Sequence, residues 1–157
     1  MVVITIGNAA TNRASEQSSE DLTCIDRVIP ATNTGFLNSV YFWFSTDAAN
    51  VIVGTFYGAG SSQTPRDWVN VGNIAAGSAV TISNLRIQVV KGDLIGWYCL
   101  TGKMKRDAVG QMWYKSGNQF GAGTQTYTSA GRTNSIGGSG LTLPDVPRIA
   151  RIMVMSP

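Results

Sequence analysis

The stretch Ile87-Gln88-Val89-Val90-Lys91-Gly92-Asp93-Leu94-Ile95-Gly96-Trp97-Tyr98 decides the fold class of this chain. Two apolar runs flank Lys91-Gly92-Asp93, where glycine takes positive φ without strain and the aspartate carboxylate can cap the turn. The stretch therefore predicts a β-hairpin. A catalytic role for Asp93 is not favoured, because no second acid or base lies nearby in the sequence.

Similar strand-like runs recur along the whole chain. They are short, rich in β-branched and aromatic residues, and bounded by Gly, Asn, Asp and Pro, and no window carries an apolar stripe at helical spacing. They predict strands at 2–6, 22–29, 36–44, 50–57, 67–71, 79–90, 94–100, 109–115, 124–129 and 148–154, with a break of 79–90 at Ser83-Asn84 left open. This spacing predicts one all-β domain over 1–157, a jelly-roll-like antiparallel β-sandwich.

The composition fits a folded domain with an unusually neutral surface. Of the 157 residues, 43% are apolar and only 13% are charged, about half the usual charged share. Histidine is absent, which removes the commonest general base and transition-metal ligand. No apolar run reaches the length of a membrane span, and the N-terminus lacks the pattern of a secretion signal. We therefore expect synthesis in a cytoplasm, without membrane insertion.

Two segments are expected to lie outside the core. Residues 1–21 are interpreted as an N-terminal strand or arm, in which the small, polar stretch 7–21 is the part expected outside the core, as an arm or a long loop. Residues 117–147 hold seven glycines between 117 and 140, which is typical of a long loop or arm. Such segments are expected on the surface or against a neighbouring molecule.

Two cysteines, Cys24 and Cys99, lie in apolar runs 75 positions apart. This spacing excludes a CxxC redox pair and a cysteine-rich zinc site. Buried reduced thiols are the favoured interpretation, and a disulfide is the alternative.

The positive charge is concentrated in the second part of the chain. Residues 101–157 carry seven basic and two acidic side chains, whereas residues 1–100 carry five and seven. The cluster Lys103, Lys105 and Arg106, with Arg148 and Arg151 further on, is a candidate surface for an acidic partner. A solvated basic hairpin is the favoured alternative, and the run is too short to predict nucleic-acid binding.

Catalytic and metal motifs are missing from the sequence. There is no P-loop, GxSxG, HExxH or EF-hand pattern, so no catalytic residue, metal ligand or cofactor is assigned. A sandwich hydrolase would need two facing carboxylates, for which Asp67 and Asp107 are the candidates. Each directly follows an arginine, Arg66 or Arg106, which favours local charge neutralisation or turn capping. The sequence therefore indicates a protein that is not an enzyme.

Large aromatic residues occupy both faces of several predicted strands. Tyr41 and Trp43 oppose Phe42 and Phe44 in one strand, and Trp97 and Trp113 lie in two others. Three explanations stay open. The second faces are covered by the chain's own segments such as 117–147, or buried against other subunits, or form a platform that stacks on sugar rings.

A family resemblance rests on several phrases taken together. They are Ile6-Gly7-Asn8-Ala9-Ala10 with Arg13-Ala14, Thr55-Phe56-Tyr57, Arg66-Asp67, Val90-Lys91-Gly92-Asp93-Leu94-Ile95-Gly96-Trp97-Tyr98 and Met112-Trp113-Tyr114-Lys115-Ser116-Gly117-Asn118-Gln119. Residues 2–120 resemble a short jelly-roll-like domain of bacteriophage virion accessory proteins (decoration, fibre or tail proteins) and related bacterial proteins. The resemblance implies an all-β fold and a place on a virion, and it implies no catalytic residues.

Two functions of different classes follow as hypotheses. The first is a non-enzymatic structural protein of a phage or virus particle, a homo-oligomer and most simply a trimer, that packs on a major capsid or tail protein. The alternative is a carbohydrate-binding module in which Trp43, Trp97 and Trp113 stack on a glycan. The candidate contact aromatics are Tyr41, Trp43, Trp97 and Trp113.

Overall fold

The computed structural model describes residues 1–144, and their secondary structure is entirely β. The strands are β1 (Val3–Gly7), β2 (Ser15–Ser18), β3 (Leu22–Asp26), β4 (Gly35–Trp43), β5 (Ala48–Ala59), β6 (Ser62–Ile74), β7 (Ala79–Ile82), β8 (Ile87–Val89), β9 (Leu94–Cys99), β10 (Lys103–Asp107), β11 (Met112–Ser116), β12 (Gln125–Thr126), β13 (Thr128–Ala130), β14 (Thr133–Asn134) and β15 (Ile136–Leu141). No helix that could cross a membrane occurs in this part of the chain. The strand predicted at 148–154, with Arg148 and Arg151, lies outside the described residues.

Two antiparallel sheets form the body of the fold. One has the order β1-β15-β4-β7 with β8 also paired to β4, and the other has the order β12-β6-β5-β9-β3-β11-β13. Between β1 and β9 the chain crosses from sheet to sheet repeatedly, and β15 returns to lie between β1 and β4. This is the strand order of a jelly roll, so the predicted all-β sandwich is confirmed. A small third sheet has the order β14-β10-β2.

The main core lies between the two large sheets. In strands such as β1, β4 and β8, alternate residues point inward and are buried, as the period of two requires. This cluster contains, among others, Ile4, Ile6, Leu37, Val40, Phe42, Val51, Val53, Trp97, Cys99 and Ile136.

The turn at Lys91-Gly92-Asp93 forms as predicted, but it does not close a hairpin. Gly92 has a φ of 92°, and the Asp93 carboxylate accepts a hydrogen bond from the Val90 N–H at 2.9 Å. The flanking strands then separate, because β8 pairs with β4 in one sheet and β9 pairs with β3 and β5 in the other. The hairpin prediction is wrong because turn residues specify a reversal of the chain and not the strand that each arm will pair with.

The N-terminal segment is part of the sandwich. Strand β1 pairs along its whole length with β15, and Ile4 and Ile6 are completely buried. Strand β2 pairs with β10 in the small sheet. The strand predicted at 2–6 is confirmed. An arm is wrong for the first residues, because two alternating isoleucines supply enough apolar area to hold them in the sheet. Residues 7–21 lie mostly outside the core, as expected, since only Asn8 and Ser19 among them are buried.

The glycine-rich segment contains a central strand that the sequence analysis missed. Strand β15 lies between β1 and β4, where its neighbours approach closely. A Cβ added to Gly140 would collide with the Phe36 carbonyl oxygen, and one added to Gly137 would collide with the Asn8 carbonyl oxygen and the Tyr41 ring. Glycine lowers the strand propensity of a segment, so the sequence suggested a loop here. In the folded sheet, however, only glycine fits at positions 137 and 140.

Other boundaries differ in detail from the predictions. The break near Ser83-Asn84 is confirmed, because β7 ends at Ile82 and β8 begins at Ile87, with Asn84 at a φ of 60° between them. Strands β5 and β6 form a long hairpin that extends well beyond the predicted 50–57 and 67–71.

Both cysteines are buried free thiols, as the favoured interpretation held. Burial raises the pKa of Cys24 well above its usual value and raises the pKa of Cys99 to about 11. Neither thiol is therefore ionised near neutral pH, so neither is activated as a nucleophile.

Candidate functional site

The predicted contact aromatics separate into two groups. Tyr41 and Trp43 are half-buried and point to the outer side of the five-stranded sheet, whereas Phe42 between them is completely buried. Partial burial raises the pKa of Tyr41. Trp97 is completely buried in the main core, and Trp113 is 6% exposed.

The proposed platform of Trp43, Trp97 and Trp113 is therefore not formed by the folded chain. Trp97 lies inside the sandwich because its strand, β9, is central in the seven-stranded sheet and contributes to both sides of it. Trp43 belongs to the other sheet. The assignment of Trp97 as a surface contact is wrong, since the period-2 pattern does not distinguish the inner face of a sheet from the outer one.

The outer face of the seven-stranded sheet is covered by the chain itself. Residues that follow β11 fold over it, so that Phe120 and Tyr127 pack on Phe56 at ring-centroid distances of 5.1 and 6.3 Å. The resulting second cluster contains Ile25, Phe56, Leu94, Tyr98, Trp113, Phe120 and Tyr127. For this sheet, coverage by the chain's own glycine-rich segment is the explanation that holds.

The outer face of the five-stranded sheet differs from this, because its strands carry no charge. We call it the neutral face. The strands β1, β15, β4, β7 and β8 contain no charged residue at all. The outward side chains are small, polar, aliphatic or aromatic, and include Val3, Thr5, Phe36, Ser39, Tyr41, Trp43, Ala79, Thr81, Gln88, Ser139 and Leu141.

The neutral face has specific contacts at its centre and at one corner, where a single arginine lies on it. At its centre, the Ser39 and Ser139 hydroxyls form a hydrogen bond of 2.9 Å across two strands. At one corner the Arg86 guanidinium lies 3.9 Å from the centroid of the Phe36 ring. Val3 and Leu141 are 61% and 38% exposed, so apolar side chains project from this face into solvent.

The predicted basic residues lie on β10 in the small sheet, where one of them has an acidic residue opposite it. Lys105 lies opposite Glu16, and the Arg106 Nε donates to the Glu16 carbonyl oxygen at 2.8 Å. Burial, with some repulsion from Arg132, lowers the pKa of Arg106. Lys103, opposite Ser18, is half-buried. The three residues line one strand and do not converge on a pocket.

Asp67 and Asp107 belong to different sheets and hold separate structural contacts. The Asp67 carboxylate accepts hydrogen bonds from the Trp68 and Gln88 N–H groups. Asp107 pairs with Arg13 at 2.7 Å. Turn capping is wrong for Asp67, because the residue lies inside β6 and its carboxylate joins β6 to β8. Neutralisation by the preceding arginine is wrong, because these carboxylates find other partners in the folded chain.

A polar cleft lies at one end of the seven-stranded sheet. Five neighbouring strands, in the order β6-β5-β9-β3-β11, either begin or end at this edge. Adjacent strands are antiparallel, so the start of one lies beside the end of the next. The cleft has a volume of about 660 Å³ and is lined by Arg27, Phe56, Tyr57, Gly58, Gly60, Gln63, Arg66, Val90, Lys91, Gly92, Asp93, Leu94, Gln111 and Trp113. We call it the strand-end cleft.

Two arginine–aromatic pairs flank the strand-end cleft. The Arg66 guanidinium lies 4.4 Å from the centroid of the Tyr57 ring, and that of Arg27 lies 3.8 Å from the centroid of the Trp113 ring. Tyr57 is 44% exposed. Hydrogen bonding to Asp93 raises the pKa of Arg66. Of these four residues only Trp113 is a predicted contact residue, because the others become its neighbours only when the strand ends meet in the fold.

Within residues 1–144, no three His, Cys, Asp or Glu side chains group as a metal site requires. No protein-family model matches the chain, and a search of curated proteins finds no match. The neutral face and the strand-end cleft are the two surfaces of the described residues whose chemistry suits contacts with other molecules.

Proposed function

We propose that this protein is a non-enzymatic structural subunit of a phage or virus particle, which assembles with copies of itself through the neutral face. The observation that supports this is the complete absence of charge from five adjacent strands, together with outward Tyr41, Trp43, Val3 and Leu141. An antiparallel sheet that faces water normally shows a polar outer face. Aromatic enrichment with depletion of charge is typical of the core of a protein–protein interface.

A second copy of the chain is the occupant that this chemistry fits best. Apart from Arg86 on the Phe36 ring at one corner, the neutral face carries no charge, so it brings little like-charge repulsion when it meets another copy of the chain. A strongly charged partner would find little to pair with there. Four strands spaced about 4.8 Å apart and about 20 Å long give a face of roughly 400 Å². This is about half of what one partner buries in a standard interface, so each subunit is expected to use a further surface. In a closed ring such as a trimer, the neutral face of one subunit contacts a different surface of the next, which gives each subunit two contacts.

The particle setting is supported by the resemblance of residues 2–120 to virion accessory domains and by the jelly-roll order of the strands. A major capsid or tail protein is the expected further partner. In this proposal the protein is made in the host cytoplasm and ends on the virion. Deletion of residues 1–21 is not a suitable test of assembly, because it would remove Ile4 and Ile6 from the core.

The test is the native mass of the full chain in solution, measured by native mass spectrometry at micromolar concentration. We expect a closed oligomer, most simply a trimer. Thr81→Glu places a carboxylate beside Tyr41 on the neutral face and should shift the mass to that of a monomer. Thr128→Glu is the matched control, since Thr128 is also an exposed strand threonine but lies on the other sheet. A monomeric wild-type chain, or equal effects of the two variants, would contradict the proposal.

A further inference from the structure

The strand-end cleft has the size and the lining of a site for a small polar ligand. Its volume of about 660 Å³ lies within the range of roughly 300–1,000 Å³ that is typical of ligand pockets. Apolar Phe56 and Leu94 contribute to its lining, and polar and cationic side chains surround them. Its lining shares no residue with the outward side chains of the neutral face, so a ligand in the cleft can be tested separately from self-assembly.

The charge of the cleft favours an anionic ligand. Arg27, Arg66 and Lys91 line it, against a single carboxylate, Asp93. Asp93 engages the Nε and Nη2 of Arg66, which leaves the Nη1 of that guanidinium available. The guanidinium of Arg27 has no hydrogen-bond partner among residues 1–144. Stacking of each arginine on an aromatic ring holds its plane in a defined orientation, which suits planar recognition of an oxyanion.

The cleft also presents groups that fit a ligand rich in hydroxyls. Gln63 is 3% exposed, and its Nε2 donates to the Gly60 carbonyl oxygen at 2.9 Å. Its Oε1 is buried and has no donor in the part of the chain that the structure describes. A buried acceptor without a donor is costly, and a ligand hydroxyl would satisfy it. The exposed ring of Tyr57 adds a surface on which a sugar ring can stack.

The separation of the two arginine–aromatic pairs sets the length of the ligand. Tyr57 lies on β5 and Trp113 on β11, three strand spacings apart, which corresponds to about 14 Å along the sheet. From this geometry we propose that the strand-end cleft is a binding site for a short anionic oligosaccharide, with its acid groups on Arg66 and Arg27 and its hydroxyls on Gln63. An acidic peptide fits less well, because the site lies across strand ends and offers no free strand edge for pairing.

The test uses the full chain and two trisaccharides, trigalacturonic acid and neutral maltotriose, followed by ¹H–¹⁵N chemical-shift titration at low salt. We expect trigalacturonic acid to bind at least about ten-fold more tightly than maltotriose, and its affinity to fall as salt is added. Arg27→Gln should weaken this binding about five-fold or more. Arg86→Gln is the matched control, because Arg86 also stacks on an aromatic ring, Phe36, but on the other sheet.

Each alternative outcome overturns the proposal in a distinct way. Equal binding of the two trisaccharides would show a neutral-sugar site, and equal losses in Arg27→Gln and Arg86→Gln would show non-specific charge attraction. A hexaglutamate peptide that binds as tightly as trigalacturonic acid would show an acidic-peptide site. Absence of any shift at millimolar sugar would show that the cleft is not a site for this ligand. The monomeric Thr81→Glu variant should bind like the wild type.

Discussion

Arg66 and Asp93 form a two-pronged ion pair in which the arginine Nε donates to Oδ2 at 2.6 Å and Nη2 donates to Oδ1 at 3.0 Å. The same carboxylate accepts the Val90 N–H, so it joins strand β6 to the turn that leads into β9. Asp93 is almost completely buried, whereas the Arg66 side chain is 22% exposed. The pair therefore anchors the crossing between the two sheets.

Replacement of Asp93 by asparagine should destabilise the fold by about 2–3 kcal/mol, because it leaves a partly buried guanidinium without its counter-charge. The matched control is Asp107→Asn. Asp107 also pairs with an arginine, Arg13, but its side chain is 42% exposed. That change should cost less than about 1 kcal/mol. Urea unfolding of both variants measures the difference. Similar losses for the two would mean that burial of Asp93 does not strengthen its pair.

Replacement of Gly140 by alanine should destabilise the protein by about 2–3 kcal/mol or more, because the new Cβ would collide with the Phe36 carbonyl within the sheet. Gly131→Ala is the control from the same glycine-rich segment. Its nearest atom would be 3.6 Å away, and we expect no loss of stability. Thermal unfolding monitored by circular dichroism compares the two. Tolerance of alanine at Gly140 would contradict the central position of β15.

Replacement of Phe120 by alanine should cost about 2–3 kcal/mol, because this ring covers Phe56 and Trp68 on the outer face of the seven-stranded sheet. The change should also shift the tryptophan fluorescence to longer wavelength as water reaches the cluster. Val109→Ala, at a position that is 78% exposed, should change stability by less than about 0.5 kcal/mol. A Phe120→Ala protein with unchanged stability and fluorescence would show that the segment does not cover this face in solution.

The buried carboxyl of Asp26 should make stability depend on pH. Burial raises its pKa, although the Asn134 and Val28 N–H groups donate to it and oppose that shift. Because the folded-state pKa exceeds the unfolded value of about 3.9, the contribution of Asp26 is largest below pH 3.9 and is lost as pH rises through the folded pKa. The free energy of unfolding of the wild type minus that of Asp26→Asn should thus fall from pH 3.5 to 7. A difference that rises over this range would contradict the shift.

The two thiols should be unreactive in the folded protein. Both are buried, and burial raises their pKa values, to about 11 for Cys99. Reaction with Ellman's reagent at pH 7.5 should be negligible in buffer and should reach two equivalents in guanidinium chloride. Rapid modification of the native chain, or fewer than two equivalents after unfolding, would show an accessible or oxidised cysteine instead.

The sequence by itself determined the class of fold, the turn and the neutrality of the strands. Alternating apolar residues predict strands because a pleated chain sends successive side chains to opposite faces, and this rule is local. The same local chemistry identified the Asp93 cap and the buried cysteines. The lack of charge in β1, β15, β4, β7 and β8 is visible in the sequence as soon as the strands are known.

Only the tertiary structure decided which strands pair, which aromatic rings are covered and which charges meet. Arg66 pairs with Asp93 and not with the adjacent Asp67, and Trp97 points into the core while Tyr57 lies at the cleft. In the sequence, Gly140 suggests a loop. In the fold it lies in a strand, so close to the Phe36 carbonyl that no side chain fits. Each of these facts depends on contacts between residues far apart in the chain, which local propensity and periodicity do not encode.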